Sequence, residues 1–143
     1  MDNMKITGRC YCGATSITSE SAPTAVALCH CVDCRRITSA PVAAFAAFAE
    51  TDIHFAPDEG QRVEINEGVR RSFCRSCGTT LTGRYDYLPG TVYVGLGLLD
   101  QADELEPTVH SHEGQRLRWL HIDDSLPRFV ASARSMLNDS DEV

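Results

Sequence analysis

Apolar and polar residues alternate along this chain in short stretches, and no stretch carries the three-to-four-residue recurrence of a long amphipathic helix. Residues 14–18 alternate small apolar and hydroxyl side chains, as a strand does. After a turn at Ser19-Glu20-Ser21-Ala22-Pro23, residues 25–28 read as a short buried strand running into Cys29. Residues 51–55 and 61–65 alternate on either side of the Pro57-Asp58-Glu59-Gly60 turn. Residues 69–73 run directly into Cys74, and residues 91–96, β-branched and aromatic after Pro89-Gly90, give the clearest strand of all. The alanine-rich run 42–48 fits either period; its shortness, the preceding Pro41 and the spacing of Phe45 and Phe48 favour a strand.

Helix is predicted only in pieces. Residues 33–39 suit one or two turns ended by Pro41, residues 100–107 a loop or brief helix, and residues 131–137 a terminal turn. Residues 117–122 suit a last strand or extended segment, and the acidic residues 138–143 a flexible tail. Many short strands punctuated by glycine and proline predict an all-β architecture. With 143 residues and no compositional break, a single domain with a core over about 5–130 is expected.

Composition narrows the chemistry. The formal charge of −7 argues against a nucleic-acid surface. There is no apolar run long enough to span a membrane and no secretory leader pattern, so a cytoplasmic protein is expected. Lys5 is the only lysine, so arginine carries nearly all the positive charge. Arginine suits forked binding of carboxylates, although an arginine bias also follows from genomic composition.

The seven cysteines carry the strongest signal. Without a leader they read as metal ligands, and their odd number agrees, since disulfides alone would strand one thiol. Cys29, Cys31 and Cys34 form a CxCxxC cluster; the rest fall in two pairs, Cys10/Cys12 and Cys74/Cys77. Joining the two pairs gives one four-sulfur zinc site and leaves a tripod one ligand short of a closed tetrahedron. If Cys74/Cys77 instead took two thiols of the central cluster, three distant thiols would be left over. The tripod suits either an open zinc or a structural site completed by His30, His54, His110, His112 or His121. An iron–sulfur cluster fits the spacing but lacks a fourth cysteine.

Three ordered motifs, Gly8-x-Cys10-x-Cys12-Gly13, Cys29-His30-Cys31-x-x-Cys34-Arg35 and Phe73-Cys74-x-x-Cys77-Gly78, resemble the glutathione-dependent formaldehyde-activating (GFA) enzyme family. His110, Trp119 and the run Asp124-Ser125-Leu126-Pro127-Arg128-Phe129 resemble its closing segment. The resemblance implies a mainly β fold, a β-tent of small coiled antiparallel sheets held by zinc. It implies two Zn²⁺ per chain: structural zinc on Cys10, Cys12, Cys74 and Cys77, and catalytic zinc on Cys29, Cys31 and Cys34. It further implies a carbon–sulfur lyase acting on glutathione or a similar thiol and formaldehyde or its S-hydroxymethyl adduct. The same domain occurs in centromere protein V, so the alternative is a non-catalytic glutathione-binding or protein-interaction module. Arg35 and Arg36 are candidates for gripping the carboxylates of the thiol. His30 is a candidate proton shuttle, and His110 and His112 are candidates to line the site.

Overall fold

The computed structural model describes residues 4–137. The acidic segment 138–143 lies outside the described residues. The protein is mainly β, built on two sheets. A three-stranded antiparallel sheet has the order β1 (Ile6–Arg9), β2 (Ser16–Ser19), β5 (Ile53–Ala56). The larger sheet takes in β3 (Ala25–Cys29), β4 (Ala43–Ala49), β6 (Gln61–Asn66), β7 (Val69–Phe73), β8 (Thr80–Tyr85), β9 (Thr91–Gly95) and β10 (Val109–Ser111). Its seven strands run β10-β3-β4-β9-β8-β7-β6 and are antiparallel, except that β10 lies parallel to β3. No helix among the described residues is long and apolar enough to cross a membrane.

The alanine-rich stretch is the interior strand β4, flanked by β3 and β9. Both its faces are covered, which explains why small and apolar residues fill it without a polar alternation. Its period of two sorts the core. Ala46 and Phe48 join Val92 and Val94 of β9 and Ile6, Ile17 and Ile53 of the small sheet in one cluster. Ala43, Phe45 and Ala47 join Ala27, Tyr85, Tyr93 and Cys34 in another, on the opposite face. One face of the large sheet therefore packs against the small sheet, and the other builds the site.

Residues 51–55 and 61–65 contribute strands, β5 in the small sheet and β6 at the edge of the large one. One expectation is corrected. Residues 117–122 form no strand, because Arg118 and Trp119 make a turn and Trp119 is largely exposed. The last strand is instead β10, three residues long and fully covered. The short helix α1 (Val32–Thr38) ends before Pro41, at Ser39, whose backbone is left-handed with φ 60°. The terminal helical turn appears at residues 134–137.

Candidate metal centres

Cys10 and Cys12 sit between β1 and β2 of the small sheet, and Cys74 and Cys77 between β7 and β8 of the large one. The fold brings these four side chains together, with all ligand atoms within 4.8 Å of one another. The sulfur separations are 3.6 Å for Cys10–Cys12, 3.7 Å for Cys10–Cys74 and 3.9 Å for Cys12–Cys74. A tetrahedron with Zn–S bonds of about 2.3 Å has edges of about 3.8 Å, so the donor set fits a zinc ion. Each loop also turns its amides onto the sulfurs. Thr15 N–H donates to Cys10 Sγ at 3.3 Å and Ala14 N–H to Cys12 Sγ at 3.4 Å. The Thr79 hydroxyl lies 3.0 Å from Cys77 Sγ and, with the Thr79 N–H, lowers the Cys77 pKa to about 5. Gly13 and Gly78 take positive φ, 83° and 79°, and let each loop close beneath its pair.

Cys29, Cys31 and Cys34 form the second cluster, again with sulfurs within 4.8 Å of one another. Cys29 ends β3 and Cys31 caps α1, its sulfur accepting the Cys34 N–H at 3.2 Å. Hydrogen bonds from Cys29 and then Cys34 hold the Cys31 thiol well below its usual pKa, while the same pairing pushes Cys29 up. The tripod thus brings three soft donors to one point, as a bound dication requires. No histidine joins this group of close ligand atoms among the described residues.

The three sulfurs stand on the wall of a cavity of about 500 Å³. Tyr85, Tyr93 and Phe45 come to it from the site face of the large sheet, His112 from the segment after β10, and Ser132 and Arg134 from the C-terminal segment. Arg71 of β7 also lines it and is only 8% exposed. Its guanidinium lies over the Tyr85 ring at 5.3 Å, and its Nη1 is buried without a hydrogen-bond partner. No carboxylate pairs with it among the described residues. Burial works against the charge of Arg71, but the Tyr85 phenol and then Cys34 more than offset this and raise its pKa. A buried guanidinium needs an anion. Three thiolates around Zn²⁺ would carry a net charge of −1, and the buried Arg71 cation facing them matches it. The second cluster therefore also fits a zinc ion.

Of the arginines named from the sequence, neither lines this cavity. Arg35 turns its Nε back to the His30 carbonyl at 3.4 Å, and Arg36 is exposed beside a neighbouring hollow of about 340 Å³ that also touches Arg71. Arg71 went unnoticed although β7 carries a signal for it. Val69, Arg71 and Phe73 share one face at period two, which puts a cation on an apolar side. His112 lines the cavity, as expected, and His110 does not. His30 is fully buried, away from the cavity lining, with its Nε2 at 2.9 Å from His110 Nδ1. His110 Nε2 in turn meets Asp124 Oδ2 at 2.9 Å.

Comparison with known proteins agrees with this geometry. A protein of Schizosaccharomyces pombe named as an uncharacterized lyase is 30% identical over 78 residues, covering 54% of this chain and 56% of that protein. The match thus spans little more than half the length of that relative. A crystal structure of a Rhodobacter sphaeroides protein superposes with a TM-score of 0.52 at 18% identity, over 86% of this chain and 99% of that one, and shares the fold. The sequence model of the glutathione-dependent formaldehyde-activating enzyme family matches residues 5–115, which include all seven cysteines, and the chain belongs to that family.

Proposed function

We propose that the protein is a zinc-dependent carbon–sulfur lyase that joins a thiol to a small aldehyde, or parts the adduct, at the Cys29/Cys31/Cys34 tripod. Glutathione and formaldehyde are the reactants that the family name suggests, and the lyase name of the yeast relative points to the same class. The observation that carries this reading is the tripod itself: three converging cysteines, no histidine among them, opening onto a cavity with a buried arginine opposite. In the same reading Cys10, Cys12, Cys74 and Cys77 hold a structural zinc.

Zinc at the tripod supplies a Lewis acid that lowers the pKa of a thiol brought to it. The residues of the chain do the rest. Three thiolates already donate heavily, so the centre suits holding a soft sulfur better than activating water. Arg71 balances the tripod's charge from within the wall. Arg71 and Arg134 outnumber the one acid of the lining, Asp33, which favours a thiol that carries carboxylates. Tyr85, Tyr93 and Phe45 keep the inner wall apolar and limit water around the reacting carbon. In the forward direction the thiol sulfur bonds to the aldehyde carbon, the carbonyl electron pair moves to oxygen, and that oxygen takes the proton the thiol gives up.

Exchange between free and adducted formaldehyde, followed by NMR at equilibrium with labelled formaldehyde and glutathione, tests this reading. Exchange faster than the protein-free control, returning to the control rate in Cys31→Ser, is the expected result. Exchange at the control rate with the zinc-loaded wild-type protein would leave a binding module without turnover.

A further inference from the structure

The buried pair His30 and His110 lies outside the cavity and has no part in the chemistry above. Both rings are 0% exposed, they stack with centroids 5.1 Å apart, and they link in a chain to the C-terminal segment. The direction of that chain follows from its end. The Asp124 carboxylate is an acceptor, held down to about pKa 2 by the hydrogen bond from His110 and by those from Leu126 N–H and Arg128. His110 must therefore carry its proton on Nε2, which leaves Nδ1 as an acceptor. His30 must then donate from Nε2, which leaves its own Nδ1 bare. His30 Nδ1 is indeed buried with no partner, and a bare lone pair is the cheaper group to leave so.

Where this chain ends gives it a purpose. His30 sits between Cys29, the last residue of β3, and Cys31, whose backbone is extended with φ −66° and ψ 153°. In extended backbone successive side chains point to opposite sides. Cys29 and Cys31 face the cavity, and His30 goes behind them into the interior. Fixing the His30 ring therefore fixes the aim of two of the three sulfurs. The backbone is pinned at the same place, His30 N–H donating to the Ser111 carbonyl at 3.0 Å.

We propose that Asp124 is a positioning residue for the three-cysteine centre, acting through His110 and His30. Residues 122–133 would then act as a strap that sets the tripod. The strap is fastened along β10 and just beyond it by Phe129 N–H to His110 O at 2.9 Å and by His112 N–H to Ala131 O at 2.8 Å. Asp124 lies beyond the residues that match the family model. Glu113 stands near both rings, its Oε2 at 3.6 Å from His30 Nε2 and 4.0 Å from His110 Nδ1. Arg116 and Arg128 face that carboxylate at 2.9 and 3.7 Å, so the place opposes a further cation. The 2.9 Å between the ring nitrogens is also a hydrogen-bond length, shorter than the roughly 3.3 Å between two nitrogens on one zinc.

The inference rests on the reading that the tripod holds zinc, and the experiment separates the two. Zinc-loaded wild-type protein is challenged with a chromophoric chelator and release is followed in time. Two zinc equivalents leaving in a slow and a faster phase are expected. In Asp124→Leu the faster phase quickens about tenfold, the lower end of the effect of losing an outer-sphere partner, and the slow phase stays put. Asp124→Asn keeps an acceptor oxygen and recovers most of the loss. Arg62→Gln, which breaks the ion pair of an exposed arginine with Glu59 away from the strap, releases zinc as the wild type does. Long-range ¹H–¹⁵N spectra show both histidines as Nε2–H tautomers in the wild type and a changed His110 in Asp124→Leu. Equal release from Asp124→Leu and wild type, equal quickening of both phases, or a third zinc equivalent held by the histidines would overturn the proposal. A wild-type tripod that takes up no zinc would instead overturn the reading beneath it.

Discussion

The two cysteine clusters are suited to metal by opposite constructions. Cys10, Cys12, Cys74 and Cys77 come from loops of two different sheets, so an ion shared by them would staple sheet to sheet across 64 residues of chain. That cluster supplies four sulfurs and closes on itself. Cys29, Cys31 and Cys34 lie within one turn of chain and join nothing remote. They depend on remote groups to be useful: Arg71 for charge, β10 for backbone pairing, and Tyr85 and Tyr93 for a wall. A closed donor set built from distant loops suits a stabilising ion, and an incomplete set built locally beside a cavity suits one that takes a ligand.

The largest expected effect tests that division directly. Cys74→Ser is expected to lower stability by at least about 3 kcal/mol, because the lost site holds two sheets together. That corresponds to a fall in Tm of about 10 °C. Cys31→Ser is expected to shift Tm by no more than about 3 °C while abolishing catalysed exchange. Calorimetry on the two variants reads the difference, and equal drops in Tm would erase the distinction between the clusters.

Arg71 tests the dependence of the tripod on remote charge, with a smaller effect that changes sign. Arg71→Met leaves the zinc–thiolate centre without its counter-charge, and tripod affinity for zinc is expected to fall about 10-fold or more, as for other outer-sphere losses. With the tripod emptied by a mild chelator, the same variant is expected to melt above the wild type, since a buried cation with no carboxylate partner among the described residues has been replaced by an apolar side chain of similar length. Zinc competition and melting curves measure the two limbs. Unchanged affinity would remove Arg71 from the account of the site.

Both clusters were legible from sequence because each cysteine pair or triplet is local, and the count of seven left one economical division. The strands were legible where alternation or β-branching was strong, as in β9. Three features escaped for physical reasons. The strand β10 is only Val109-His110-Ser111, and its polar residues are covered because they bond to Asp124 and to Ala133 N–H, partners far along the chain. Arg35 and Arg36 follow the tripod in sequence, but the helical turn after Cys34 carries them off the cavity, to the His30 carbonyl and to the surface. Arg71 is remote in sequence and near in space, and only its place on the apolar face of β7 announced it. Residues 117–122 suggested a last strand or extended segment, whereas Arg118 and Trp119 make a turn that leaves Trp119 exposed.

The smallest expected effect comes from the turns that shape each cluster. Gly78 closes the Cys74/Cys77 loop at φ 79°, its N–H donating to the Cys74 carbonyl at 2.9 Å, and nothing stands within 4 Å of where a Cβ would be. Gly78→Ala therefore meets no clash and costs only the left-handed backbone, about 1 kcal/mol. Ser39 ends the helix that carries Cys34 in the same region, at φ 60°, but bears a side chain there. Ser39→Gly removes that penalty, and even with the greater freedom of glycine in the unfolded chain a gain of about 0.5 kcal/mol is expected. Chemical denaturation of the zinc-loaded variants reads both. One conformation at two clusters should thus respond with opposite signs. A loss in Ser39→Gly would mean that the Ser39 side chain itself helps to hold the tripod helix.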